Sequence, residues 1–150
     1  MSKILFTGFE GEQNTSKLLL DKLNACDKLY LENDFRISES QLSNVLRDDE
    51  FDCVIMFGLK PGIKHVQIET QAKRDGIVLQ TKFDYYGLGK HFADLGYQVV
   101  VSDDAGDYLC NNIYFHCLEC GANAVFVHIP TLGMGFCLDK FAEDIQGFVL

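Results

Sequence analysis

Short apolar runs rich in Val, Ile and Phe alternate along the chain with longer stretches in which apolar residues recur at helical spacing. A short continuous run reads as a buried strand, and a three-to-four residue period reads as a helix with one face on a core. Their alternation is the pattern of βα units, which build a largely parallel sheet. Strands are predicted over residues 3–7, 28–31, 53–57, 66–72, 78–81, 97–102 and 124–129, and helices over 15–24, 39–48, 87–95, 108–120 and 137–148. Residues 33–36 read as a loop. Gly76 predicts a hairpin between the fourth and fifth strands, so the sheet is expected to be mixed rather than wholly parallel. The fold class that follows is α/β: one domain over residues 1–150, a three-layer α/β/α sandwich with a mostly parallel, mixed central sheet.

A chain of 150 residues with 47% apolar content is long enough for one core and too short for two comfortable domains. Its formal net charge of −9 disfavours a polyanionic partner, so no nucleic acid is expected to bind. No apolar run approaches the ~18 residues of a membrane helix, and the run from Val54 to Phe57 stops at Gly58, so no membrane partner is expected. The apolar start of the chain ends at Gly8-Phe9-Glu10, before it reaches the length of a leader's core. A cytoplasmic, reducing setting is therefore expected. The six cysteines must be weighed there one by one as core filler, metal ligand or nucleophile.

One cysteine stands out by position. In Asp104-Ala105-Gly106-Asp107-Tyr108-Leu109-Cys110-Asn111, the Ala-Gly pair permits a sharp strand-to-helix turn and Asp107 can cap the helix that follows. Cys110 then falls in the first turn, where unpaired N–H groups and the helix dipole favour thiolate over thiol. His128 ends the run Ala124-Val125-Phe126-Val127-His128-Ile129 just before Pro130, at a strand's carboxyl end, where α/β sheets present catalytic groups. Cys110 could equally pack as an ordinary helix residue, and His128 could serve a backbone carbonyl. His116 lies almost two turns beyond Cys110 on the same helix, and His65 and His91 sit in polar contexts, so His128 is the preferred partner. Glu69 could orient the imidazole and complete a triad, although by pattern alone it is a plain strand residue.

Together these segments resemble the pyroglutamyl peptidases, the cysteine peptidase family also called pyrrolidone carboxyl peptidases. The matching pieces are Thr7-Gly8-Phe9-Glu10, the stretch from Gly58 to Glu69, the stretch from Ser102 to Asn111, and His128-Ile129-Pro130. The resemblance identifies a shortened, partly divergent member. It implies Cys110 as nucleophile, His128 as general base and then acid, and Glu69 as the residue that orients His128. It also implies a substrate pocket at Phe9, Asn14 and Asn111, with Phe9 as one wall around the pyrrolidone ring. The expected reaction removes N-terminal pyroglutamate from a small peptide through a thioester, with no metal or organic cofactor. Homo-oligomers are a further expectation by analogy. The chain departs from the family at Gln67, where Ser or Thr is usual, at Thr70, where a basic residue is usual, and at Arg74, where Asn is usual.

Other signals are weaker. Cys117-Leu118-Glu119-Cys120 has metal-like spacing but no second pair of ligands, so buried packing is the expected role. Gly87-Leu88-Gly89-Lys90 lacks the remainder of a phosphate loop and reads as a helix start. Two rivals to the peptidase reading stand: a thiol hydrolase acting on another small amide or ester with the same triad, and an inactive binding or assembly protein that keeps these residues for its fold.

Overall fold

The computed structural model describes residues 2–24 and 26–148. Its elements run β1 (Ile4–Phe9), α1 (Thr15–Lys22), β2 (Asp27–Leu31), α2 (Phe35–Asp48), β3 (Cys53–Leu59), β4 (Val66–Glu69), β5 (Gln71–Arg74), β6 (Ile77–Gln80), α3 (Tyr85–Asp94), β7 (Val99–Ser102), α4 (Leu109–Glu119), β8 (Ala124–Ile129) and α5 (Leu138–Gln146). Six strands form the central sheet in the order β2-β1-β3-β8-β4-β7. Every neighbouring pair is parallel except β4 and β8, which run antiparallel.

The alternation of side chains along each strand divides the interior in two. In β3, Cys53, Ile55 and Phe57 enter one cluster, and Val54 and Met56 enter the other. In β8, Val125, Val127 and Ile129 join the first while Ala124 and Phe126 join the second. Leu19, Leu20 and Leu23, Leu88 and Phe92, and Phe141, Ala142 and Ile145 bring α1, α3 and α5 onto the first face with its adjoining turns. Leu42 of α2 and Leu109, Ile113, Tyr114, Phe115 and Cys117 of α4 cover the second. This is the expected three-layer sandwich. Both faces of β3 and β8 are covered, which is why these strands read as unbroken apolar runs.

Three local expectations are corrected. Residues 33–36 are not all loop, because α2 begins at Phe35 under an N-cap in which Asp34 accepts from the Ile37 N–H at 2.8 Å. Phe35 and Ile37 face outward, so the first turn carries no inward apolar signal. The single strand expected over 66–72 is divided at Thr70, whose N–H donates to the Ser102 carbonyl at 2.8 Å while its own carbonyl accepts from Thr81 at 3.0 Å. The hairpin at Gly76 is present, with Asp75 and Gly76 both at positive φ (52° and 79°), but β5 and β6 make a separate two-stranded sheet. The central sheet is mixed because β4 pairs antiparallel with β8.

Candidate active site

The chain approaches Cys110 through a turn built by its own polar groups. Asp104 Oδ1 accepts from the Gly106 N–H at 2.9 Å, and the Asp104 N–H donates to Ser102 Oγ at 3.1 Å. Gly106 has φ 88°, a left-handed conformation that a side chain would oppose. The Gly106 N–H and the charge of Lys73 hold the Asp104 carboxyl below its usual range. Asp107 does not cap the helix: the N-cap position is Tyr108, with no side-chain cap bond. The turn is ordered by Asp104 instead. The first intrahelical bond in α4 is Asn112 N–H to the Tyr108 carbonyl, so the amides of Leu109, Cys110 and Asn111 precede the helix's own ladder.

Cys110 Sγ rests over the backbone of Gly58. A Cβ at position 58 would stand 2.7 Å from that sulfur and 2.8 Å from Phe126 Cζ, so only glycine fits there without movement. The sheet register continues the row, since Gly58 of β3 pairs with His128 of β8, and His128 pairs with Gln67 of β4. Residues directly opposite on neighbouring strands project to the same face. The thiol, the imidazole and the Gln67 amide therefore share one face of the sheet beneath the start of α4.

His128 is 4% exposed and Glu69 is fully buried. His128 Nδ1 lies 2.7 Å from Glu69 Oε2. With Glu69 ionised and the imidazole neutral, Nδ1 would carry the proton and Nε2 would keep its lone pair. The ring packs at 4.9 Å, centroid to centroid, against Phe126. Glu69 is steadied from two further directions: the Tyr114 hydroxyl donates to its main-chain carbonyl at 2.7 Å, and Gln67 Nε2 donates to Oε2 at 2.8 Å. Glu69 Oε1 has no hydrogen-bond partner among the described residues.

The Cys110 thiol differs from expectation. Burial, followed by the negative charge of Glu69, pushes it up to about 12, against a smaller opposing effect of Lys60. Burial thus acts against the thiolate that the sequence leads one to expect at a helix start. A shift in this direction favours the protonated thiol near neutral pH.

The three residues expected to bind substrate are engaged elsewhere to differing degrees. Phe9 is 3% exposed, within the apolar cluster against which Cys110 packs. Asn14 caps α1, its Oδ1 accepting from the Ser16 N–H at 2.9 Å and the Ser16 hydroxyl at 2.6 Å. Asn111 uses both ends of its amide on the main chain of Lys73, at 3.0 and 2.9 Å, and so ties the β5–β6 hairpin to α4.

No family model and no curated protein sequence matches the chain. Solved structures do. A pyroglutamyl peptidase I from Bacillus amyloliquefaciens superposes with TM-score 0.84 at 18% identity, over 97% of this chain and 91% of that one. The chain has the pyrrolidone carboxyl peptidase fold. The pyrrolidone carboxyl peptidases of Thermococcus litoralis (TM-score 0.82, 21% identity, 97% and 90% of the two chains) and Fervidobacterium islandicum (0.83, 18%, 97% and 95%) agree.

On this peptidase fold, sequence reasoning missed what surrounds the acid. Gln67 was visible as a departure, and its two-residue spacing from His65 and Glu69 was the signal that a strand would align all three on one side. Gly58 opens one of the matching segments, but its closeness to Cys110, like the bond from Tyr114 to Glu69, depends on partners distant in sequence. Of the Cys117–Cys120 pair, expected to pack in the core, Cys117 is buried in the second cluster but Cys120 is exposed. Among the described residues no group of three or more His, Cys, Asp or Glu side chains could hold a metal ion. The helix expected to start at Gly87 begins at Tyr85, and Gly87 lies in its first turn, where its N–H donates to the N-cap Asp84 Oδ1 at 3.0 Å.

Proposed function

We propose that this protein is a cysteine peptidase that removes N-terminal pyroglutamate from small peptides, with Cys110 as nucleophile, His128 as general base and then acid, and Glu69 as the orienting carboxylate. The observation that carries the reading is the buried 2.7 Å contact between His128 Nδ1 and Glu69 Oε2, one strand away from a cysteine seated on Gly58. It occurs in a fold shared with solved pyroglutamyl peptidases.

In the proposed reaction, His128 Nε2 takes the Cys110 proton as sulfur attacks the carbonyl of the amide that follows the pyroglutamyl ring. The imidazolium is stabilised by Glu69 and protonates the leaving amine, which departs as the shortened peptide. Water, deprotonated by His128, then cleaves the thioester and returns the thiol. The oxyanion is served by main-chain N–H groups at the start of α4, which the helix itself does not use. A resting thiol at about 12 fits this scheme, because transfer to His128 accompanies attack rather than precedes it.

The test is hydrolysis of a fluorogenic pyroglutamyl amide by reduced protein beside the prolyl analogue and the Cys110→Ala variant. Release from the pyroglutamyl compound alone, lost in Cys110→Ala, is the expected result. Release from other small amides or esters, still dependent on Cys110, would leave a thiol hydrolase of different acyl specificity. Loss of all Cys110-dependent turnover would leave a binding protein on a peptidase fold.

A further inference from the structure

Glu69 presents one oxygen to two donors. Oε2 accepts from His128 Nδ1 at 2.7 Å and from Gln67 Nε2 at 2.8 Å, while Oε1 has no partner among the described residues. In a fully buried carboxylate, the donors present decide where its charge is held. Gln67 is itself 7% exposed, and its amide could in principle face Glu69 with either end. With the oxygen turned inward, two acceptors would oppose each other. The other end of the amide resolves this: Gln67 Oε1 lies 2.9 Å from His65 Nε2, which can donate to it. His65 is only partly buried and stands at the start of β4, so the series runs from the protein's edge inward through residues 65, 67 and 69.

We propose that His65 and Gln67 are positioning residues for the hydrolytic site. The His65 Nε2–H fixes the Gln67 amide so that its NH2 faces Glu69, and Gln67 holds the carboxylate in the plane where it accepts from His128. The inference rests on the triad reading above and extends it to two residues that touch neither substrate nor thiol. The donors converge on Glu69: His65 donates to Gln67 and Gln67 to Glu69 Oε2, which also accepts from His128. Gln67 supplies an inward donor over the length that its side chain spans, where a shorter hydroxyl could not also reach His65.

The experiment measures two quantities that do not depend on which amide is the substrate: the rate of Cys110 alkylation by iodoacetamide at neutral pH, and the His128 Nδ1–H resonance in 15N-histidine-labelled protein. Gln67→Met keeps side-chain length and removes the donor. It is expected to slow alkylation about tenfold, the size of a lost hydrogen bond to a charged group, and to shift or broaden the resonance. His65→Ala is expected to slow alkylation ~3-fold in the native background and to have no effect in the Gln67→Met background, because His65 acts only through Gln67. His65→Gln, which retains a donor, should restore most of the rate.

Equal effects of His65→Ala in both backgrounds, or an unchanged rate and resonance in Gln67→Met, would overturn the proposal. Glu69→Gln separates that failure from failure of the triad. If Glu69→Gln slows alkylation and Gln67→Met does not, only the positioning role falls; if neither does, the triad reading falls with it. Should Gln67→Met not fold, His65→Ala and its rescue by His65→Gln, at a partly exposed position, still decide the matter.

Discussion

A methyl group at position 58 would meet Cys110 Sγ at 2.7 Å and the buried ring of Phe126 at 2.8 Å, and these two neighbours cannot retreat equally. Phe126 is held on all sides within the core, whereas the thiol can rotate about χ1. Gly58→Ala is therefore expected to move the sulfur rather than the ring, lowering kcat on the order of 100-fold with a smaller loss of stability; steady-state kinetics beside urea unfolding would check this. Titration gives a second expectation at the same scale. Cys53 and Cys110 are pushed up to about 12 from 9.0, and Tyr30 to about 12 from 10.0, chiefly by burial. All three retain protons in the folded chain at a pH where the unfolded chain releases them. Their contribution to stability is complete below 9 and declines as pH rises toward 12. The urea midpoint should fall across that window, and less steeply in Cys110→Ala.

Among elements, the β5–β6 hairpin depends most on a single side chain. Asn111 closes two hydrogen bonds to the Lys73 main chain, standing in for a strand on the edge of β5 away from β6, and Arg74 adds a contact over the Phe115 ring at 4.5 Å. Asn111→Leu should leave the Lys73 groups unsatisfied, costing about 1–3 kcal/mol and raising amide exchange in β5 and β6 while β1, β3 and β8 stay protected. The hairpin also shows where sequence was readable. Its turn was legible because Asp75-Gly76 is a local signal, but its separation from β4 was not, because Thr70 carries no breaker character and the apolar positions at Val66, Ile68 and Ala72 keep an even spacing through the division. The start of α2 was hidden for a related reason: Phe35 packs edge-to-face on Tyr108 at 5.5 Å, on the outside of the helix. Cys110 and His128 were legible from element ends alone. The partners of Glu69 were not, since they depend on pairing between β4 and β8.

At the scale of the molecule, the three layers follow from strands apolar on both sides, and that much of the architecture lay in the sequence. The order of the strands did not, because pairing is decided by which faces the helices can cover together. One consequence concerns how the protein reaches its working state. The antiparallel contact of β4 with β8 consists of three residue pairs, Gln67 with His128, Ile68 with Val127 and Glu69 with Phe126. It joins segments 59 residues apart at the Glu69–His128 bond. Such a closure comes late compared with the local helices and the β5–β6 turn, because the intervening chain must be ordered first. A slip of one residue in this short ladder would also send His65, Gln67 and Glu69 to the opposite side of the sheet together. During refolding from urea, far-UV dichroism should recover before Cys110 alkylation settles at its native rate, and the delay would time the closing of one small seam in the sheet.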